Sequence, residues 1–303
     1  MTEIGVVGAG AAAAAATYVV DGAVPDASIT VLEKSGGLCG RAATRRRGDV
    51  TYDYGANYIK DDDRRVVDLL DRFDDGLVEV EGDIDVFDRT GEVSDGRDDQ
   101  ERKVTYQTGL TRLAKHLFGA TEATIHRRTR VEGIDRTDDA WLLTDADGKR
   151  WGPFDVLLLT PPAPQTAALL ETADWEHEAH ENLLDAVRDV NYRTIWTAVL
   201  GYPFELDAPY YALVNTDKEH EVGWISREEC KPGHVPDGES VLIVQANHEW
   251  SVERYDADPE RNVADLAAHA AAIVGDDRLT DPSWTDHQGW RYALPEGGLR
   301  RGV

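Results

Sequence analysis

Residues 4–16 read IGVVGAGAAAAAA, and this stretch decides the fold. The apolar residues at its start predict a strand, Gly8 and Gly10 predict a tight turn, and the alanines that follow have the highest helix propensity. A second apolar run over residues 28–32 ends at Glu33, 25 residues after Gly8. This is the spacing of a βαβ unit whose final carboxylate binds a ribose hydroxyl. The sequence therefore predicts a dinucleotide site.

The residue types of the turn fit that chemistry. Gly8 permits the tight turn, Gly10 lets the backbone approach a pyrophosphate, and a small residue at Ala13 keeps the helix close to its strand. The first helical residues, Ala11 and Ala12, supply N–H donors for the phosphates. The alternative is an alanine-rich helix that binds no ligand. The strand before the turn and the carboxylate after it favour the dinucleotide.

Length and charge limit the remaining possibilities. A chain of 303 residues predicts two domains, and 41% hydrophobic residues suffice for a core in each. The formal net charge is −26, and the acids are distributed along the chain. Nucleic acids and anionic membrane surfaces are therefore poor partners. Adjacent acidic pairs illustrate the distribution: Asp74-Asp75, Asp98-Asp99, Asp138-Asp139, Glu228-Glu229 and Asp276-Asp277.

The choice among acidic and among basic residue types is also biased. Asp outnumbers Glu by 36 to 22, and Lys supplies only 7 of the 32 basic residues. Such a surface is typical of a cytosolic protein from a halophile, because at about 1 M salt the Debye length falls to about 3 Å and the acids no longer repel one another. An ordinary acidic protein is the alternative interpretation.

Cysteine content and hydropathy indicate a cytoplasmic protein. The two cysteines, Cys39 and Cys230, form no disulfide framework and suit a reducing compartment. The uncharged stretch over residues 4–20 is mostly Ala and Gly, and no basic segment precedes it. We therefore expect neither a membrane span nor a secretion signal.

The next two segments carry a family resemblance. Residues 33–46 read EKSGGLCGRAATRR and residues 52–58 read YDYGANY. In this order they resemble the FAD-dependent amine oxidase superfamily, and within it the renalase-like branch. The resemblance implies FAD as the cofactor. It covers most of residues 1–295.

The resemblance also implies which residues bind FAD. Gly40 and Arg41 would lie along the pyrophosphate and ribityl chain, where a guanidinium neutralises phosphate. The segment from Gly55 to Tyr58 would run beside the flavin ring, and an aromatic side chain there suits a dry pocket. A glycine-rich loop with solvated arginines is the alternative. The other cofactor residues that the resemblance implies are Lys34, Ala56, Asn57, Val131, Thr160 and Pro161.

The predicted fold is α/β, with a Rossmann-like FAD-binding domain that combines a parallel sheet with an antiparallel meander. The second, substrate-binding domain is α+β with a mainly antiparallel sheet. The FAD-binding domain is assigned to residues 1–60 and 101–165 with a remnant at 284–303, and the substrate domain to 61–100 and 166–283. The proline-rich residues 160–165 mark the expected crossing between them, because proline ends a central strand.

Individual elements follow from local patterns. Residues 141–154 predict a hairpin that turns at Asp147-Gly148. Residues 155–159, which are apolar after Asp155, predict a strand buried on both faces. Helical spacing predicts helices over 109–117, 167–170, 178–187 and 259–274. Strands are expected at 129–134, 194–200, 210–214, 222–226 and 241–246.

Catalytic residues are not identified by any motif. Aromatic side chains could form the substrate face of a flavin site, and Tyr58, Trp196 and Trp224 are the candidates, although most aromatics will be core. The histidines lack the spacing of metal ligands, so no metal is proposed. Hydrolase and phosphate-loop motifs are absent from the sequence.

The predicted activity is transfer of a hydride from an amine or a reduced dinucleotide-like small molecule to flavin N5, with molecular oxygen as acceptor. Relatives continue beyond the segment that resembles residues 290–295 with a strand, a Gly-Asp turn and a helix that point at the flavin, so weak FAD binding is one expectation. The alternatives are a desaturase-like flavoenzyme, an NAD(P)-linked reductase and an inactive remnant. The oligomeric state and the substrate are not predicted.

Overall fold

The computed structural model describes residues 1–96, 101–137 and 139–298. Of the acidic pairs, Asp98-Asp99 and the first member of Asp138-Asp139 lie outside these ranges, as do the last five residues of the expected remnant at 284–303. The helices are α1 Ala11–Ala23, α2 Arg64–Arg72, α3 Thr111–Gly119, α4 Ala163–Leu170, α5 Glu178–Arg188, α6 His248–Glu253 and α7 Pro259–Val274. The strands are β1 Thr2–Val7, β2 Ala27–Glu33, β3 Thr44–Arg47, β4 Val50–Asp53, β5 Ile59–Lys60, β6 Leu77–Glu79, β7 Asp83–Phe87, β8 Val93–Ser94, β9 Lys103–Tyr106, β10 Thr124–Arg127, β11 Val131–Arg136, β12 Trp141–Asp145, β13 Arg150–Phe154, β14 Val156–Leu159, β15 Tyr192–Tyr202, β16 Tyr210–Asn215, β17 Val222–Arg227, β18 Ser240–Ala246 and β19 Trp284–Pro295.

The chain folds into two compact units. Unit 1 comprises Met1–Arg41, Thr111–Tyr192 and Pro295–Val303, and unit 2 comprises Ala42–Leu110 and Arg193–Leu294. This division differs from the expected domain boundaries. The proline-rich residues do not mark the crossing, because Pro162 is the N-cap of α4 and the chain stays in unit 1 until Tyr192.

Unit 1 is built on a parallel sheet of four strands in the order β10-β2-β1-β14. β1 and β2 are joined by α1, as the βαβ spacing predicts. β14 lies at the edge of this sheet, and Val156 is 43% exposed, so the expectation of a strand buried on both faces is wrong. Burial on both faces requires packing layers above and below the strand, and no residue of β14 is fully buried.

A second sheet of unit 1 contains β11, β12 and β13 in antiparallel order. Its hairpin turns at Asp147-Gly148 as predicted, with Gly148 at a φ of 77°. The core of this part joins both sheets through apolar side chains that include Val7, Leu32 and Leu143. The expected parallel sheet with an antiparallel meander is thus confirmed.

Unit 2 contains a sheet of seven strands in the order β19-β15-β18-β17-β16-β7-β8. The pairs β15–β18, β17–β18, β16–β17 and β7–β8 are antiparallel, and β16 pairs with β7 in parallel. One face of β15 and β18 packs against α7 and the other against the β3–β4 hairpin. The expected mainly antiparallel sheet of the second domain is confirmed. A smaller sheet has the order β5-β9-β6.

The residues at the two ends of α7 explain where this helix begins and ends. The Asp258 side chain accepts a hydrogen bond from the Glu260 N–H at 2.9 Å, and Pro259 occupies the first turn. Gly275 ends the helix in the left-handed conformation with a φ of 77°. Of the helices in the described ranges, none is long and apolar enough to cross a membrane.

Candidate functional site

The glycine turn of unit 1 lies between β1 and α1, where the sequence predicts it. Gly8 has a φ of +95°, and a Cβ added there would lie 2.6 Å from the Thr160 hydroxyl oxygen. Only glycine fits this position on both counts. Gly10 follows as the N-cap of α1, so Ala11 and Ala12 are the first helical residues.

A second backbone segment crosses this turn. The Cys39 N–H donates to the Ala9 carbonyl at 2.9 Å, and Cys39 forms a parallel bridge with Gly10. A Cβ added at Gly40 would lie 3.2 Å from the Gly10 Cα. The two segments therefore meet through backbone alone and leave a cradle without side chains at the start of α1.

The N-terminus of α1 carries no capping group. Gly10 offers no side chain to cap it, and the first turn contains no acidic residue. Helix N-termini expose N–H groups and a positive dipole end, which together bind phosphate. A glycine cradle over an uncapped helix therefore fits the pyrophosphate of a dinucleotide.

Glu33 faces the same turn. Its side chain is buried, with Oε2 accepting a hydrogen bond from the Ala9 N–H at 2.6 Å and Oε1 accepting one from the Ser35 N–H at 2.7 Å. Each carboxylate oxygen has a further lone pair for a ribose hydroxyl. The carboxylate predicted from sequence spacing therefore lies beside the glycine turn.

The other unit 1 candidates have diverse surroundings. The Thr160 hydroxyl donates to the Val7 carbonyl at 2.8 Å beside Gly8, and the Pro161 carbonyl accepts a hydrogen bond from the Thr166 hydroxyl at 3.0 Å. The Arg41 guanidinium lies 5.8 Å from the centre of the Tyr192 ring. The remaining two are Lys34, which is exposed, and Val131, which is buried at the start of β11.

The candidates of unit 2 begin with the loop after β4. The Gly55 carbonyl accepts a hydrogen bond from the Gln245 side chain at 2.8 Å, and the Asn57 Oδ1 accepts one from the Ser226 hydroxyl at 3.4 Å. Ala56 between them is exposed. β17 and β18 thus fix the path of this loop.

Tyr58 and Trp224 lie together, and Tyr211 joins them. The three ring centroids are 6.1, 6.2 and 6.4 Å apart, with tilted or edge-to-face geometry. Rings at these distances are in direct contact, so the space between them is filled. Trp224 Nε1 is buried and has no hydrogen-bond partner among the described residues. Any substrate would therefore meet the outer faces of this aromatic cluster.

Trp196 does not belong to that group. Trp196 is 2% exposed, its ring stacks on His287 with centroids 5.2 Å apart, and its backbone N–H donates to the Ser251 hydroxyl. It packs in the core beside α7. The structure therefore brings two of the three aromatic candidates together and places the third in the core.

Unit 2 also contains a charged cluster that the sequence did not reveal. Its four side chains, which we call the buried quartet, are Asp53, Glu228, Lys231 and His234, and each is completely buried. Lys231 Nζ lies 2.6 Å from Glu228 Oε1 and 3.4 Å from Asp53 Oδ2. Asp53 accepts further hydrogen bonds from the Thr44 and Thr105 hydroxyls and from the Leu110 N–H.

Within the quartet, Glu228 and Lys231 stabilise each other's charged forms. Burial opposes ionisation of Glu228, but the Lys231 charge and the hydrogen bond from His234 outweigh it and lower the pKa of Glu228. Burial likewise opposes the Lys231 charge, but Glu228, Tyr211 and Asp53 raise its pKa. The two His234 ring nitrogens each face an oxygen acceptor at 2.9 Å, Glu228 Oε2 and the Tyr106 carbonyl. Lys231 and His234 therefore hold both Glu228 carboxylate oxygens, while Asp53 is held by Lys231 and by its own hydrogen-bond donors.

Among the residues that the structure describes, two groups of side chains have the composition of metal ligands, and we assign a metal to neither. In the quartet, ligand atoms of Asp53, Glu228 and His234 lie within 4.8 Å of one another, but the Lys231 ammonium supplies the cation. The other group contains His220 and His269, and His220 Nδ1 accepts a hydrogen bond from the Val222 N–H at 2.9 Å. A metal at Nε2 would place the ring proton on Nδ1 and break that bond.

Comparison with known proteins identifies the class of the N-terminal region. The family described as the NAD(P)-binding Rossmann-like domain matches residues 6–73. This range contains Gly8, Gly10, Glu33, Gly40 and Arg41, and it supports a dinucleotide-binding class of domain.

Solved structures share the fold of nearly the whole chain. A protein from Exiguobacterium sp. 255-15, provisionally described as a protoporphyrinogen oxidase, is 16% identical with a TM-score of 0.78, and the match covers 98% of this chain and 88% of that one. Putrescine oxidase bound to putrescine is 12% identical with a TM-score of 0.76 and the same coverage. A fatty acid isomerase from P. acnes is 13% identical with a TM-score of 0.67, over 97% of this chain and 86% of that one. The predicted α/β fold class, with its Rossmann-like domain, is therefore confirmed.

Proposed function

We propose that this chain is an FAD-dependent oxidoreductase. The observation that carries the proposal is the group at the β1–α1 turn, where a glycine cradle, an uncapped helix N-terminus and the Glu33 carboxylate meet. Phosphates require the first two features, and a ribose diol requires the third. The shared fold of oxidase structures supports flavin as the second half of the dinucleotide.

The chain's own residues would hold the adenosine diphosphate half. Gly8, Gly10 and Gly40 leave the backbone N–H groups open to phosphate, and Glu33 accepts hydrogen bonds from the ribose. By the resemblance to amine oxidases, Arg41 neutralises phosphate charge, and Lys34, Val131, Thr160 and Pro161 line the cofactor. The residues of unit 2 proposed to contact the flavin ring are Gly55, Ala56, Asn57 and Tyr58.

Bound FAD would supply a hydride acceptor at N5, and molecular oxygen would take up the two electrons as peroxide. The protein contributes binding, orientation and exclusion of water, which is why its sequence needs no serine, cysteine or metal nucleophile. Consistently, burial raises the pKa of the Cys230 thiol to about 11, so this thiol is protonated at neutral pH.

The finer proposal concerns substrate and setting. The resemblance to the renalase-like branch points to an amine or a reduced dinucleotide-like molecule as the hydride donor. Tyr58 and Trp224 offer aromatic faces for a flat or cationic substrate. The Asp-rich composition supports a halophilic, cytoplasmic protein.

The test is to purify the chain in concentrated salt with FAD and to measure bound flavin by absorbance and fluorescence quenching. We expect a yellow complex and a thermal midpoint that rises with FAD concentration, since a ligand at 100 times its Kd stabilises by about 2.7 kcal/mol. Peroxide release is then measured with amines and with reduced nicotinamide dinucleotides. A colourless protein that FAD does not stabilise would contradict the proposal.

Other outcomes would select the alternatives. Retention of NADP without FAD would indicate a nicotinamide-linked reductase, which the description of the matched family also allows. Bound flavin that reacts only with isoprenoid or porphyrinogen substrates would indicate a desaturase-like enzyme. Bound flavin that no substrate reduces would indicate an inactive remnant.

A further inference from the structure

A group of cations lies beside Glu33 in unit 1. Arg127 is the register partner of Glu33 in the parallel pair of β10 and β2. The Arg128 N–H then donates to the Ser35 carbonyl at 3.0 Å, and the Thr129 N–H to the Glu33 carbonyl at 2.8 Å. These two hydrogen bonds place the turn after β10 alongside the backbone of residues 33–35, next to the Glu33 carboxylate that is proposed to bind the ribose. We define the basic patch as Lys34, Arg127, Arg128 and Arg130, all of which are exposed.

The basic patch is positively charged, whereas the chain as a whole is strongly negative. The net charge is −26, yet residues 123–131 contain three arginines and no acid. Two other exposed arginines of unit 1 have carboxylate partners, Arg150 with Asp135 at 3.4 Å and Arg188 with Glu171 at 2.5 Å. Within the ranges that the structure describes, none of the four patch residues forms an ion pair. Four adjacent unpaired cations form a local positive field.

The backbone holds one of these cations in a specific place. Arg128 has a φ of 56°, a conformation that costs free energy for a long side chain. Its guanidinium lies against Gly36, where an added Cβ would be 3.4 Å from Nη2. Gly36 thus allows the guanidinium to cover the segment after Glu33. Strained backbone conformations of this kind cluster at functional sites.

We propose that the basic patch captures the phosphate groups of an adenine dinucleotide and guides them to the turn at Gly8 and Gly10. This inference rests on the proposed function, because it places the ligand's ribose at Glu33. An anionic cofactor is repelled by the net charge of this chain, so its encounter needs a local region of opposite sign. A positive field near a site raises association rates by about 10- to 1,000-fold at low ionic strength.

The test measures association rates rather than activity. The patch variant carries Arg127→Gln, Arg128→Gln and Arg130→Gln. The matched control carries Arg64→Gln, Lys218→Gln and Arg261→Gln, which removes the same charge from exposed residues of unit 2 and also includes a residue with positive φ, Lys218 at 62°. The probes are FAD and a fluorescent derivative of ADP, mixed with the apoprotein by stopped flow at the lowest salt concentration in which it is folded and at 1 M salt.

We expect the patch variant to bind both probes about 10-fold more slowly than wild type at low salt, with little change in dissociation rate. The difference should vanish at about 1 M salt, where the Debye length is about 3 Å. The control should match wild type. Equal association rates for patch and control variants at low salt would overturn the inference and leave the proposed function standing.

The second probe separates the two proposals. Binding of the ADP derivative without FAD would contradict the flavin proposal, while the capture inference would still be decided by the ADP rates. Binding of neither probe to wild type would overturn both. Retention of duplex DNA by wild type and its loss in the patch variant would assign the patch to nucleic acid and overturn the inference.

Discussion

Glu33 is the residue on which dinucleotide binding depends most. Its two oxygens already accept the Ala9 and Ser35 N–H groups, so the side chain both shapes the turn and faces the ribose. Replacement by Gln removes the charge and directs an amide donor at one of these donors. We expect Glu33→Gln to weaken FAD binding by about 10- to 100-fold, since hydrogen bonds to a charged group contribute about 1.5 to 3 kcal/mol.

FAD titration followed by flavin fluorescence provides the measurement. The control is Glu132→Gln, an exposed glutamate of the same unit. We expect FAD to bind the control and wild type equally. Unchanged affinity in Glu33→Gln would contradict the role of this carboxylate at the ribose.

Lys231 stabilises the buried quartet, because its ammonium group compensates the buried carboxylates of Asp53 and Glu228. Without its ammonium, Asp53 and Glu228 would face each other with only His234 to compensate them. Removing one partner of a buried pair costs about 3 to 5 kcal/mol. We expect Lys231→Met to lower the free energy of unfolding by that amount in denaturant titrations.

Lys218→Met is the matched control, because Lys218 is exposed. Surface substitutions of this kind change stability by less than about 0.5 kcal/mol. If the two variants unfolded at the same denaturant concentration, the quartet would not contribute to the stability of unit 2.

Glu228 makes stability depend on pH in a specific direction. Its pKa is lowered in the folded chain, so its contribution is present above the pKa of an unfolded glutamate, about 4.3, and is lost as the pH falls through the folded value. We expect wild type to lose stability progressively below about pH 4.3. Glu228→Gln should be less stable at neutral pH and should lose less on acidification. A variant with the same acid dependence as wild type would contradict this role.

Sequence reasoning reached Glu33 but not the quartet, and the reason is the distance along the chain. Glu33 is defined by a local pattern of strand, turn, helix and strand, which fixes the place of the carboxylate. The quartet joins Asp53 to residues about 180 positions later, and each member alone resembles a solvated surface charge. One signal was available: Lys231 is among only 7 lysines in a chain depleted of them.

At the level of elements, two glycines near helix ends should respond in opposite ways to replacement by alanine, one substitution lowering the stability of the fold and the other raising it. Gly275 ends α7 with a φ of 77°, and Gly22 lies inside α1, while an added Cβ would meet no atom within 4 Å at either position. Backbone conformation alone therefore decides the outcome. We expect Gly275→Ala to destabilise by about 1 kcal/mol and Gly22→Ala to stabilise by about 0.5 to 1 kcal/mol.

Denaturant midpoints of the two variants and wild type check this prediction. Each variant serves as the control for the other, because both add one methyl group to an open position. Changes of the same sign would show that the added methyl, and not the φ angle, determines stability.

The elements that sequence reasoning found are those with long, uniform patterns. β15 to β18, α5 and α7 lie at the predicted positions because each carries several residues of one periodicity. The short strands β3 to β9 were missed, since two to five residues show no reliable alternation. β7 pairs in parallel with β16, more than 100 residues later, and no local signal encodes that pairing.

At the scale of the whole molecule, charge is unevenly placed. Acids are spread over both units, whereas the end of β10 and the turn after it carry three arginines and no acidic residue. A chain with a strongly acidic surface that binds an anionic ligand needs a local region of positive charge, because a uniformly negative surface would repel the ligand. Salt screens the attraction of the ligand to the basic patch and also the repulsion among the surface acids. Cofactor capture and surface repulsion therefore both depend on ionic strength.

Salt should therefore change stability in a predictable direction. With a net charge of −26, the folded chain repels itself in dilute buffer, and screening at about 1 M salt removes most of that repulsion. We expect the thermal midpoint to rise steeply between about 0.1 and 1 M KCl. The rise should be about 2 to 4 °C for each kcal/mol of repulsion that is screened. Sucrose at equal osmolality is the control, since it excludes itself from the surface without screening charge. An equal rise in sucrose, or a midpoint that does not respond to KCl, would contradict the view that charge repulsion limits this fold.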